Sequence, residues 1–264
     1  MTTRQKHPFL PTDTAPVILA HRGLVDAEGA ASGVWENSAL AFAAAHASGV
    51  EYIETDCRMT ADGDVVLFHD ETLQRLAGIP TAISDMRTRE LSAIFADHGG
   101  LLTLAEALYS FPTSKFNVDV KEGPAADAAG AAVAAHATRV LLTSFDETTR
   151  LRAMASASLN GAATPPATSP GKSGIMQLLL ALSVRSQRRM NTLLRSYDAL
   201  QIPVRHAGIK VLRPRLLAAA HAANVDVHVW TIDDEQQMQQ LVNLGVDGLV
   251  TNRADNAVRL FPQS

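Results

Sequence analysis

Short β-rich apolar runs alternate with Ala- and Leu-rich stretches along most of the chain. Val17–Ala20 is the first strand-like run, and Asn37–Ser48 follows as a helix that Gly49 ends. Tyr52–Asp56 reads as a second strand and Thr103–Phe111 as a helix stopped by Pro112. Phe116–Val120 is a third strand, after which Pro124 opens an Ala-rich helix to Ala137. Val140–Ser144 is a fourth, and Asp146 caps a helix to about Ala155. The second half is less marked. Gly161–Thr164 is the expected fifth strand, followed by a helical stretch from about Gly174 to Ser196. Leu200–Pro203 is a sixth strand, ahead of a helix over Pro214–Ala223 with proline near its start. Val225–Ile232 is a seventh, and Asp233 and Asp234 open a helix to Asn243. Asp247–Thr251 is the eighth, with a short helix behind it to about Leu260.

Eight strand–helix units are what a TIM (β/α)8 barrel requires, and barrels of about 250 residues are typical. The pattern therefore predicts a single barrel domain over residues 1–264, with its core at about 17–260. One run is left over. Val65–Phe68 follows the second strand after only the turn Ala61-Asp62-Gly63-Asp64. Parallel strands need a crossover of a dozen or more residues, so this run must return antiparallel as a hairpin extension. Pairing Thr60 with Val65 sets Arg58 against Leu67 and Asp56 against His69. His69 is then expected beside Asp56 at the C-terminal mouth of the barrel, where barrel enzymes hold their active sites.

Composition narrows the classes. The chain has 264 residues with one cysteine, so no internal disulfide can form. A 47% apolar content with a net charge of only -4 is that of a globular protein. With 23 basic against 27 acidic residues, nucleic-acid binding through bulk charge is disfavoured. The longest apolar run, Ile175–Val184, is too short for a bilayer, which needs about 20 apolar residues. The N-terminal MTTRQKHPFLPTDTAP lacks the apolar stretch of about 7–15 residues found in a secretory signal, so a cytoplasmic location is expected. Oligomeric state leaves no mark in the sequence.

Ionisable side chains gather at predicted strand ends. His21 and Arg22 end the first strand. Glu54 and Asp56 share one face of the second by alternation, with Cys57 on the other, and Asp119 and Lys121 share a face of the third. Trp230 lies near the end of the seventh. Three carboxylates converging on one mouth repel one another, and a hard divalent cation such as Mg²⁺ or Ca²⁺ would relieve that repulsion. Two histidines there can act as general base and general acid. Arg22 can grip a phosphate through its planar fork, and Lys121 can add a point charge. The pattern points to metal-assisted phosphoryl chemistry.

The stretches ILAHRG, WENSALAF and GVEYIETDCRMTADGDVVLFHDETLQRLAG resemble the glycerophosphodiester phosphodiesterase family in order and spacing. NVDVK at 117–121, LTSFD at 142–146, VHVWTID at 227–233 and GVDGLVTNRAD at 245–255 extend the resemblance. It spans Val17 to about Val258, but fades between about Gly161 and Ala199. The resemblance implies a TIM barrel that hydrolyses glycerophosphodiesters to glycerol 3-phosphate and an alcohol. It implies His21 and His69 as the acid/base pair, and Glu54, Asp56 and Asp119 as ligands of one divalent cation, Mg²⁺ or Ca²⁺. Arg22 and Lys121 would bind phosphate, Glu36 and Asn37 would support the first loop, and Trp230 would line the glycerol pocket. The sequence departs from the family in Asp119, where glutamate is usual, and in Asn252, where the final strand usually ends in aspartate.

Two rivals stand beside this reading. One is lysophospholipase D-type hydrolysis of a lysophospholipid, favoured by the Leu- and Arg-rich stretch 174–196. The other is a non-catalytic phosphodiester-binding barrel, favoured by Asp119 and Asn252 alone. The 174–196 stretch reads first as a barrel helix with one buried face and an Arg-rich solvent face. Its apolar run is wider than one helical stripe, which fits instead a lid or a peripheral membrane contact.

Overall fold

The computed structural model describes residues 5–11 and 15–262. Residues 1–4, 12–14 and 263–264, which the expected domain span and the N-terminal signal reading include, lie outside the described residues. The strands are β1 (Val17–His21), β2 (Tyr52–Met59), β3 (Val65–Leu67), β4 (Lys115–Val120), β5 (Val140–Thr143), β6 (Ala167–Thr168), β7 (Ala199–Pro203), β8 (Arg205–His206), β9 (Ile209–Lys210), β10 (Asp226–Trp230) and β11 (Gly248–Thr251).

Eight of them form one parallel path in the order β6-β5-β4-β2-β1-β11-β10-β7, with β3 antiparallel on β2. The path nearly closes on itself. At its seam β6 and β7 are joined by Asp198 N–H donating to the Thr168 carbonyl at 2.9 Å and by Thr168 N–H donating to the Asp198 carboxylate at 2.9 Å. This is the TIM barrel that the pattern predicts.

Alternation divides the strand residues between two cores. One set, including Ile18, Ile53, Phe116 and Leu142, packs outward against the helices. The other, including Leu19, Tyr52, Leu141 and Val250, fills the barrel interior together with Phe9 and Leu10 from the N-terminal segment. The Tyr52 hydroxyl donates to the Phe9 carbonyl at 2.8 Å, which fixes that plug. A third cluster lies under the excursion after β3, built on Val66, Phe68, Leu73, Ile83, Leu91 and Phe95. Trp35 stacks there on His98 and packs loop against loop.

Three expectations are corrected. The fifth barrel strand is Ala167–Thr168, and residues 161–164 form a turn behind the helix Glu147–Leu159. Pro165 and Pro166 have no N–H for a ladder, so pairing begins only after them, with Leu141 opposite Ala167. The β2–β3 register is slipped by one residue: Cys57 faces Leu67 and Met59 faces Val65. The hairpin loop holds three residues rather than four, because Thr60 N–H donates to the Asp64 carbonyl at 2.9 Å and Gly63 takes the left-handed φ of 93°. The stretch 174–196 is two helices, Lys172–Ser183 and Gln187–Leu194. They are separated at Arg185, whose φ of 55° cannot continue a right-handed helix.

Gly130 shows how tightly the outer layer is packed. A Cβ there would sit 2.2 Å from the Ala153 carbonyl oxygen and 2.7 Å from Ser156 Cβ, so the helix Ala126–Val133 touches the helix Glu147–Leu159 backbone to backbone. Gly130→Ala is expected to lower unfolding stability by about 1–3 kcal/mol through overpacking, although alanine is the better helix former. Urea denaturation reads this directly. An unchanged or raised midpoint would show that the two helices can part at little cost.

Candidate active site

Parallel pairing brings the C-terminal ends of the barrel strands to one face, where a cavity of about 390 Å³ opens. Its polar side is formed by His21, Arg22, Glu54, Asp56, His69, Asp119 and Lys121, the charged groups expected from the strand ends. Alternation puts Asp56 into this mouth and turns Cys57 into the outer core, where burial pushes its thiol pKa up. Trp230 and Phe145 both line the cavity and pack edge to face, with ring centroids 5.9 Å apart.

Lys121 sits between two carboxylates. Its Nζ is 2.6 Å from Asp56 Oδ1 and 2.6 Å from Asp119 Oδ2. Arg22 Nε lies 3.1 Å from Asp56 Oδ2 as an ion pair, without hydrogen-bond alignment. These cations sort the acids. Burial pushes all three carboxyls up, but Lys121 and then Arg22 outweigh it at Asp56 and hold that group below its ordinary value. Glu54 stays well above the usual range, through burial first and then the neighbouring Asp56 charge. Asp119 is also raised by burial, against the pull of Lys121. Lys121 in turn is held above its ordinary value, since Asp119 and Asp56 outweigh its own burial.

The loop after β1 is held in a left-handed turn. Arg22 has φ 58°, an uncommon conformation for a non-glycine residue. Its N–H donates to the Glu54 carbonyl at 2.8 Å, and its carbonyl accepts from Asn37 N–H at 2.8 Å. Asn37 is buried, accepts from the Thr55 hydroxyl at 2.8 Å and donates to Asp56 Oδ2 at 3.3 Å. Glu36 accepts from Arg22 at 2.7 Å and from Arg75 at 2.5 Å. Glu36 and Asn37 thus lie behind the cavity wall and brace it.

The two histidines differ in what holds them. His21 Nδ1 is 2.7 Å from Asn252 Oδ1. Asn252 Nδ2 donates to Asp233 Oδ2 at 2.8 Å, which fixes the amide orientation so that its oxygen must face the imidazole. Nδ1 therefore carries the proton, and Nε2 is the free acceptor, 4.0 Å from Glu54 Oε2. Burial, then Arg22, holds the His21 pKa below its usual value. His69 has a carboxylate instead: Nδ1 is 2.7 Å from Asp70 Oδ1, and Asp70 Oδ2 accepts from Arg75 at 2.6 Å. The slipped hairpin leaves Phe68, not His69, bonded to the Asp56 backbone, at 3.0 Å. His69 still lines the cavity because it lies past the end of β3, where the ladder no longer dictates its direction.

Several lining residues were not among the sequence candidates. Asn117, two residues before Asp119, shares its face and could have been placed by alternation. Gln201 lies on β7, in the less clearly marked second half of the pattern, and Ser169 directly follows β6, which the pattern misplaces. Ile175, Met176 and Leu179 enter from the helix Lys172–Ser183, and His206 and Ile209 from the β8–β9 hairpin, which no strand-like run announces. Of Asp233 and Asp234, which the pattern places at the opening of a helix, Asp234 makes the cap, accepting from Gln237 N–H at 2.7 Å, while Asp233 accepts from Asn252.

Glu54, Asp56 and Asp119 form an all-oxygen donor set of the kind hard divalent cations take. Asp119 Oδ1 is buried without a hydrogen-bond partner, an orphan that a cation would satisfy. The residues present therefore fit such an ion. As the side chains lie, the Lys121 ammonium fills the space between two of them, and among the described residues no three acidic, histidine or cysteine groups converge tightly enough to be a ready metal cage.

The sequence model of the "Glycerophosphoryl diester phosphodiesterase family" matches residues 21–256. A probable glycerophosphodiester phosphodiesterase of Mycobacterium tuberculosis is 32% identical over 243 residues, covering 90% of this chain and 88% of that protein. Among solved structures, a glycerophosphodiester phosphodiesterase of Thermotoga maritima superposes with a TM-score of 0.70 at 23% identity, over 93% of this chain and 98% of that one. A phosphodiesterase of Oleispira antarctica, solved in complex with the product sn-glycerol-3-phosphate, superposes with a TM-score of 0.69 at 20% identity, over 93% of this chain and 96% of that one. These two likenesses carry the barrel.

Removing Lys121 tests the charge balance. Lys121→Ala leaves two buried carboxylates without their shared cation, and breaking a buried pair of this kind costs about 3–5 kcal/mol. Denaturant unfolding in the presence of a chelator should show a loss of that order. An unchanged midpoint would mean that the ammonium does not hold Asp56 and Asp119 together.

Proposed function

The chain belongs to the glycerophosphoryl diester phosphodiesterase family of phosphoric diester hydrolases, and from that premise we propose that it hydrolyses glycerophosphodiesters by paired histidines. The products are glycerol 3-phosphate and an alcohol. The observation that carries this reading is the meeting of His21 and His69 with three acids and two cations in one cavity.

The histidine partners suggest a division of roles. His21, held neutral with Nε2 free, suits the base that takes the proton of the glycerol 2-hydroxyl. That oxygen then bonds to phosphorus, and a tethered nucleophile gains from proximity. His69 has the Asp70 carboxylate 2.7 Å from its Nδ1. It suits the acid that protonates the leaving alkoxide as the bond from phosphorus to the alcohol oxygen breaks. Water then opens the cyclic phosphate with the two roles exchanged. Arg22 and Lys121 offer positive charge to the phosphoryl oxygens, and Trp230 shapes the glycerol side. Glu54, Asp56 and Asp119 would hold a divalent cation, Mg²⁺ or Ca²⁺, which when bound supplies further neutralisation of phosphoryl charge.

Purified protein incubated with glycerophosphocholine should release glycerol 3-phosphate, lose this activity on chelation and regain it with a divalent salt. No release with any divalent ion would leave only the phosphodiester-binding barrel, and release that survives chelation would remove the cation. His21→Ala and His69→Ala should each lower turnover about 10²–10⁴-fold, the range general acid–base groups supply, with near-native thermal unfolding. Asp233→Ala frees Asn252 and, through it, His21. About a tenfold loss in kcat is expected, equivalent to one or two hydrogen bonds, with KM little changed. Full activity in Asp233→Ala would mean that the imidazole needs no such brace.

A further inference from the structure

The chemistry above occupies only one side of the cavity. The other side is apolar, and it does not stop at the cavity lip. The helix Lys172–Ser183 supplies Ile175, Met176 and Leu179 to the wall. Met176 also belongs to a second row on the same helix. Lys172, Met176, Leu180 and, at the C-cap, Val184 recur every fourth residue and so form one stripe. The whole stripe faces outward: Met176 is 63% exposed and Val184 61%. Ile209, on the β8–β9 hairpin, lines the cavity and is still 55% exposed. An apolar row that starts at a cavity and runs onto open surface is a contact surface rather than core.

Charge distinguishes this face from the rest of the chain. Between Lys172 and Arg215 there are nine basic residues and one acidic residue, Asp198, which is buried, although the whole chain carries a net charge of -4. Lys172, Arg185, Arg188, Arg189, Arg205 and Lys210 are all exposed. Among the described residues, none of these six forms an ion pair with a carboxylate. Exposed aliphatic side chains flanked by unpaired cations match an interface that is hydrocarbon in its outer layer and negative at its headgroups.

We propose that the helix Lys172–Ser183, the turn after it and the β8–β9 hairpin dock this protein on an anionic lipid surface, with the cavity opening towards the bilayer. The stripe Met176, Leu180 and Val184 enters the acyl boundary, and the surrounding arginines and lysines meet lipid phosphates. The inference rests on the proposed function only in taking the cavity as the active site, and docking is measured without turnover.

Cosedimentation of the full chain with vesicles tests it. Vesicles of phosphatidylcholine with phosphatidylglycerol should bind at least tenfold more tightly than phosphatidylcholine alone, and high salt should weaken the binding. The double variants Leu180→Glu/Val184→Glu and Arg188→Glu/Arg189→Glu should each lose at least tenfold in vesicle affinity while hydrolysing a water-soluble glycerophosphodiester at the parental rate. Absent binding, equal binding to both vesicle types, or variants that bind like the parent would overturn the proposal. So would a concentration-dependent dimer, seen by analytical ultracentrifugation and abolished by Leu180→Glu/Val184→Glu, in the absence of vesicle binding. Vesicle binding by a protein inert towards every soluble glycerophosphodiester would overturn the catalytic reading and leave the docking surface standing.

Discussion

Three carboxyl groups buried within one barrel mouth cannot all stay ionised unless cations share the space. That constraint organises the site. Lys121 reaches both Asp56 and Asp119, Arg22 approaches Asp56 from the other side, and Glu54 is left with the weakest compensation. Arg22 stands in a left-handed turn and meets both Asp56 and Glu36. Glu36 then ties Arg22 to Arg75, and Arg75 to Asp70 behind His69. One chain of alternating charge therefore links the loop after β1 to the loop after β3, although no strand ladder joins them.

The two imidazoles differ in their neighbours as well as in their depth. An amide whose orientation is locked by Asp233 stands behind one, and a carboxylate shared with an arginine stands behind the other. The asparagine at 252, which removes a charge where the family pattern has aspartate, keeps the His21 side free of a second negative group.

What could be read from the chain was what depends on local period. Glu54, Asp56, Asp119 and Lys121 fell on the correct side because alternation is rigid within a strand, and the barrel followed from counting strands. The hairpin was expected, but its register turned on whether the loop held three residues or four, a choice that rests on one left-handed glycine. β6 was misplaced because it is two residues long and lies behind two prolines, so it has no period to detect. The apolar side of the cavity was out of reach for another reason. Its residues come from a helix and a hairpin that meet only in three dimensions, and the helix break at Arg185 has no proline or glycine to announce it.

The seam between β6 and β7 has a consequence for how this barrel can change. The three acids and His21 stand on β1, β2 and β4, where ladders run on both sides of every strand, and His69 follows β3, which pairs with β2. The apolar wall instead hangs from the stretch that follows a two-residue strand, anchored by Asp198 and Thr168. Changes to exposed residues between Thr168 and Asp198 would leave β1, β2 and β4 undisturbed, provided that Asp198 keeps its bonds to Thr168. The molecule thus carries its acids on strands laddered on both sides, and its apolar wall on a stretch held at the seam.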